Sequence, residues 1–293
     1  MGRLPGGGRP FQPDATILPQ LETTLPDEPD DLPPILRDKH HDQASEFSPE
    51  SLLREARRQK ALPDASVPAI CVLDPDGDIV RHLRKTGEGR LDPTWACYHS
   101  ELYRFVRDGR EYGIVGCAVG ASYAVLVAEQ MFAVGCQLLV SITSSGQITP
   151  LGLPPYFILI ERALRDEGTS YHYLPRSDYA HADERLIALV APALSVVGEP
   201  VERGGTWTTD APFRETASAI EAAAAKGLLA VEMEAAALYA FAAARRRSVL
   251  CFAHVTNQMG RIEGDFEKGE ANGATAAIKL VQAVADAWSD QTA

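Results

Sequence analysis

At 293 residues with 45% hydrophobic content, the chain has enough apolar material for one large α/β domain or two smaller ones. A formal net charge of −12 disfavours nucleic acid as a partner, because the phosphates would be repelled. No 18-residue apolar run exists, which excludes a membrane-spanning helix.

Met1-Gly2-Arg3-Leu4-Pro5-Gly6-Gly7-Gly8 and Pro26-Asp27-Glu28-Pro29-Asp30-Asp31 cannot build a packed core. Residues 1–47 therefore read as an irregular Pro/Gly/acidic arm, and 48–293 as the folded domain. The first 30 residues hold no apolar stretch suited to a secretion signal. The cysteines Cys71, Cys97, Cys117, Cys136 and Cys251 are widely spaced, with no metal-ligand pattern. They read as core thiols, so the expected compartment is the cytoplasm and no metal is expected.

Ser48-Pro49 is an N-cap followed by proline at the first helical position, and predicts a helix through about Lys60. Val67 to Leu73 reads as a buried strand. Thr94 to Val106 and Tyr112 to Val119 read as strands around the Asp108-Gly109 turn. A helix over Ala121 to Val134 and a strand over Gln137 to Thr143 follow. Phe157 to Ala163 and Tyr171 to Leu174 are shorter strand candidates. Helices are predicted over Ala182 to Val197 and Arg214 to Lys226. The apolar run Gly227 to Val231 feeds the Ala-rich helical pattern from Ala235, and Val249 to Val255 is a strand. Gly273 to Trp288 closes the chain as an amphipathic helix. The alternation implies an α/β fold, a single domain with a mixed, mostly parallel sheet flanked by helices on both faces.

Three predicted strand ends carry polar clusters: Thr143-Ser144-Ser145-Gly146, Glu232-Met233-Glu234 and Thr256-Asn257-Gln258. Ligands in such folds sit beyond the carboxyl ends of strands, where convergent polar groups form a pocket. If Glu232-Met233-Glu234 is extended, both carboxylates point to one side. A carboxylate at a helix N-terminus is held by unpaired N–H groups, which suits clasping a ribose diol. An acidic first turn that merely favours the helix is the alternative.

Val231-Glu232-Met233-Glu234-Ala235-Ala236-Ala237-Leu238 resembles the ribose-binding signature of the nucleoside phosphorylase/uridine phosphorylase family. Gly135 to Ile148 resembles that family's strand and turn, Gly-x-x-x-x-x-Arg-x-Gly-Thr-x-Gly-x-Ile. The resemblance runs from about Pro68 to the C-terminus. It implies that Glu234 binds the ribose hydroxyls with Glu232 in support, and that Met233 packs on the sugar. In the loop Gly205 to Glu215, it implies an aromatic stacked on the base, Phe213 first and Trp207 second. Asp210 either pairs with a base edge or caps the helix near Pro212. Asn257 would serve the leaving base as a hydrogen-bond donor that cannot transfer a proton. That favours a uracil or 6-oxopurine. The Arg165 to Tyr173 segment adds Arg165 as an anion donor and His172 as a contact to the sugar 5′-hydroxyl.

The same resemblance implies inorganic phosphate as co-substrate, no other cofactor, and a homo-oligomer, either a dimer or a hexamer. Relatives hold phosphate with a Gly-Asp-Pro-x-Arg loop and an arginine before the Gly-Thr-x-Gly turn. Here the first reads Leu73-Asp74-Pro75-Asp76-Gly77 and the second has Ser141 in the arginine position. Loss of two guanidinium forks removes the best phosphate ligands. Gly120, Ser144, Ser145 and Gly146 could form a neutral anion nest instead, with Arg81, Arg84 or an arginine from another subunit in support. Three readings follow in order: a nucleoside phosphorylase giving free base and (deoxy)ribose 1-phosphate, a nucleoside hydrolase using water, and a non-catalytic nucleoside-binding protein.

Overall fold

The computed structural model describes residues 32–259 and 263–289. The expectations for residues 1–31 lie outside the described residues. Pro34–Leu36 form one 3₁₀ turn within a unit that ends at Arg37. A second compact unit begins at Asp38, and everything below concerns it.

Helix α1 spans Pro49–Lys60, and its first turn is closed by Ser48 Oγ, which accepts the Ser51 N–H at 3.2 Å. Strand β1 (Ile70–Asp74) is buried along its whole length, as a central strand flanked by two neighbours must be. Helix α2 (Asp78–Thr86) follows, and then β2 (Arg90–Leu91), β3 (Leu102–Arg107) and β4 (Arg110–Gly116). Helix α3 (Ala121–Ala133) leads to β5 (Leu138–Gln147), β6 (Tyr156–Asp166) and β7 (Tyr179–His181). Helix α4 is Glu184–Leu194, β8 is Val201–Thr209 and α5 is Ala217–Ala225. Strand β9 (Leu228–Glu232) delivers α6 (Ala235–Arg245). Strand β10 (Ser248–Asn257) and α7 (Ala274–Ser289) complete the fold.

The sheet is mixed. β1 pairs in parallel with β4 and β5, and β5 pairs in parallel with β10. β10 runs antiparallel to β6, β6 parallel to β8, β8 parallel to β9, and β9 antiparallel to β5. Five strands thus close on themselves, β5-β10-β6-β8-β9, which removes their free edges. One group of helices packs α3 against α1 and α6, and another packs α7 against α2 and α4. The principal core runs through Val72, Leu73, Leu138, Val140, Leu250 and Phe252, all fully buried.

Several local expectations are corrected. Residues from Thr94 to Glu101 are not strand. Asp92 takes the N–H and hydroxyl of Thr94 in an Asx-type turn that holds the chain out of the sheet until Leu102. Tyr171 to Leu174 is not a strand either. Glu167 accepts the N–H groups of Thr169 and Ser170 and coils the chain into a 3₁₀ turn over Thr169–His172. The helix expected from Arg214 starts at Ala217, where Thr216 caps it. Strand β8 and helix α2 escape the sequence pattern. Cys117 is exposed, whereas the other four cysteines are buried.

Candidate functional site

The Glu232-Met233-Glu234 segment lies where β9 ends and α6 begins, as the apolar-to-helical transition implies. The two carboxylates are held quite differently. Glu232 Oε2 accepts the N–H groups of Glu234 and Ala235, each at 2.7 Å, and closes the first turn of α6. Its Oε1 accepts the hydroxyls of Thr206 at 3.1 Å and Thr208 at 2.5 Å. Those threonines are two apart on β8, so they share a face. Four donors on one buried carboxylate leave it no free lone pair in a good direction for substrate. Glu232 therefore fixes the end of α6, and so the place of Glu234. Burial still pushes its pKa up, with the Thr208 hydroxyl the largest opposing influence.

Glu234 is 1% exposed. Its Oε1 accepts the Gly120 N–H at 2.7 Å. Oε2 is buried and no donor reaches it with hydrogen-bond geometry. Burial and the neighbouring Glu232 raise its pKa to about 8, against the pull of the Gly120 N–H and the nearby Thr143 hydroxyl. An unpartnered buried carboxylate oxygen is costly unless something binds it. Met233, between the two, is half-buried.

The other polar clusters converge on the same end of the sheet. Gly146 is in register with Val231 on β9 and with Asn257 on β10. Ser144 Oγ and Thr256 Oγ1 share a 2.8 Å hydrogen bond. Asn257 Nδ2 donates to Ser145 O at 3.4 Å and to Thr256 Oγ1 at 3.2 Å. Its Oδ1 accepts the Met259 N–H at 2.9 Å. Ser145 Oγ is buried and unpartnered. A Cβ on Gly146 would lie 2.4 Å from Met259 Sδ, so that thioether covers the turn.

The expected anion nest is already occupied by carboxylates of the chain itself. The Gly120 N–H serves Glu234, and the Ser144 N–H serves Asp76 Oδ2 at 2.7 Å. Burial raises the Asp76 pKa, opposed first by the charge of Lys268. Burial raises Asp74 to about 7. Asp76 Oδ1 lies 3.9 Å from Lys268 Nζ, beyond hydrogen-bond distance. Lys268 instead bonds Asp78 at 2.7 Å, as does Arg81. Arg84 lies over the Tyr103 ring, so neither arginine reaches into the nest. Sequence reasoning had Asp76 in view only as a position in a degenerate loop. The signal was the acid itself, placed where an anion-binding loop is expected.

Other expected contacts separate from this cluster. Phe213 is fully exposed, on a 3₁₀ turn after β8. Trp207 points away from the Thr206/Thr208 face into a second apolar cluster with Ile148 and Leu228, and its Nε1 donates to Asp166 at 2.9 Å. Asp210 neither caps α5 nor stands free, because its Oδ2 accepts the Gly168 N–H. Arg165 spends its guanidinium on Ser170 Oγ, Pro175 O, Leu174 O and Ser177 Oγ, and so braces its own loop. His172 contacts Lys39 at 3.3 Å and lines a cavity with Phe241 and Arg245, at the far end of α6 from Glu234.

A profile of the phosphorylase superfamily matches residues 69–286, and the chain belongs to that family. Among solved structures, uridine phosphorylase from Vibrio fischeri ES114 is similar, with 19% identity and a TM-score of 0.64. It covers 78% of this chain and 96% of its own. The same enzyme complexed with 6-hydroxy-1-naphthoic acid gives 19% identity and 0.64, covering 75% and 92%. A sequence search of curated proteins finds no match.

Proposed function

We propose that the protein cleaves the N-glycosidic bond of a nucleoside and that water, rather than phosphate, is the acceptor. Family membership supports a glycosidic-bond enzyme. The observation that carries the choice of acceptor is the Asp76 carboxylate, bonded to the Ser144 N–H in the turn where relatives are expected to bind phosphate. A dianion placed beside Asp76, Glu234 and Asp74 would meet carboxylates in a buried setting, where among the described residues no arginine hydrogen-bonds any of the three.

The chemistry assigned to the residues follows. Glu234 Oε2 accepts a ribose hydroxyl, which satisfies an orphaned buried acceptor. Hydrogen bonds from the ribose to Oε2 favour the ionised form, so the Glu234 proton passes to solvent as substrate binds and the carboxylate charge stabilises positive charge on the sugar in the transition state. Asp76 Oδ1 takes a proton from water as the oxygen adds to the anomeric carbon. The glycosidic electron pair leaves with the base, and the Asn257 amide exchanges its long 3.4 Å bond to Ser145 O for a hydrogen bond donated to it. Burial raises the Asp76 pKa and so makes it a stronger base than an ordinary carboxylate.

Phosphorolysis of uridine or a 6-oxopurine nucleoside is the second reading, favoured by the likeness to uridine phosphorylase. Base release from a nucleoside panel, with and without phosphate, separates the two. Equal rates support water, whereas release only with phosphate supports phosphorolysis. A nucleoside that binds tightly with no release under either condition would support the binding-protein reading instead.

A further inference from the structure

The ends of α3 and α6 remote from the candidate site border a second cavity of about 640 Å³. Helix α6 carries Glu234 at its start and Arg245 at its end, a span of about 15 Å along its axis. Arg245 and Arg247 bring two fixed positive charges to it in a chain of net charge −12. His40, His41, His172, Arg245 and Arg247 line it, against Glu50 and Glu129. Lys39 adds a further ammonium beside His172.

These arginines are not consumed by their own helix. Arg246 adopts φ 53°, and the N–H groups of Arg246 and Arg247 both go to Ala242 O. The C-terminus of α6 is thus capped by backbone, which leaves the guanidiniums free of that task. Among the described residues neither guanidinium donates a hydrogen bond. Arg245 Nε lies 3.9 Å from Glu129, whose Oε1 already accepts the Tyr173 hydroxyl at 2.7 Å. Arg247 Cζ lies over the Phe132 ring, 5.4 Å from its centre. A guanidinium held on an aromatic ring presents its other face and edge for a planar group and an anion.

We infer that this cavity is a second ligand site, separate from the ribose cleft, for a phosphorylated metabolite that carries a planar ring, a nucleotide in class. The volume suits a ligand of that size. Arg245, Arg247 and the histidines would hold the phosphate, and the exposed face of Arg247 would stack on the ring.

The test is calorimetric titration of the full chain with uridine 5′-monophosphate, with uridine and inorganic phosphate as separate controls. The nucleotide is expected to bind the Glu234→Gln variant as it binds the wild type. Its affinity should fall about tenfold or more in Arg245→Gln/Arg247→Gln, the loss expected for charge-assisted hydrogen bonds. That variant should keep the wild-type melting temperature and base release. Added salt should weaken nucleotide binding far more than uridine binding. Three results would overturn the inference: no binding at millimolar nucleotide, affinity indifferent to both the arginine pair and salt, or binding that vanishes in Glu234→Gln. Inorganic phosphate binding as tightly as the nucleotide would remove the ring from it.

Discussion

Replacing Glu234 with glutamine should change how stability depends on pH. In the folded protein this carboxyl titrates at about 8 against an ordinary value of 4.5, because burial and Glu232 oppose its ionisation. Between those values the unfolded chain has lost the proton and the folded chain keeps it. Stability contributed by the protonated form is therefore complete below about pH 4.5 and is lost as pH rises through about 8. One proton changes the slope by about 1.4 kcal/mol per pH unit. From pH 5.5 to 7.5 the wild type should thus lose roughly 3 kcal/mol more than Glu234→Gln, which has no proton to release. Urea unfolding followed by circular dichroism at several pH values measures this directly. Parallel curves for the two proteins would refute the placement of Glu234 as a buried acid without a partner for Oε2.

The same substitution should cost about 2 kcal/mol of transition-state stabilisation, roughly a 30-fold drop in kcat/KM, because a charge-assisted bond to the sugar is lost. Unchanged turnover would remove Glu234 from the site. Asp76→Asn keeps the shape and removes the base, so kcat should fall by about 10²-fold or more with little change in KM, as read from steady-state kinetics. Thr208→Val withdraws the short hydroxyl bond to Glu232 and a bond to the Ala236 N–H. A loss of about 1–3 kcal/mol is expected in denaturant melts. Gly273→Ala should destabilise by about 2 kcal/mol or more: φ there is +81°, and the new methyl would lie 2.2 Å from the buried His254 ring.

The fold was legible wherever one period dominated. β1, β5 and β10 are buried apolar runs, and α6 and α7 carry clear helical patterns with Gly or a strand before them. β8 was not legible, because Gly204-Gly205 reads as loop. Its pairing with β6 and β9 comes from strands distant in sequence, and a Cβ at Gly204 would lie 2.5 Å from a Leu229 methyl. Helix α2 hides for a related reason: it is short and charged, and it is held by Asp74 accepting the Val80 N–H. At the site, the local signature located Glu234 and the three converging clusters. The division of labour between Glu232 and Glu234 was not readable, since it depends on two β8 threonines 26 and 24 residues upstream of Glu232. Arg165 and Trp207 looked functional because their chemistry is rich, yet tertiary contacts consume it.

A hydrolase brings water to the anomeric carbon where a phosphorylase brings phosphate. Base release run in ¹⁸O-labelled water, with phosphate present, tests this most directly by mass spectrometry of the sugar product. The expected product is free pentose carrying one labelled oxygen at the anomeric carbon. Unlabelled pentose 1-phosphate would contradict it.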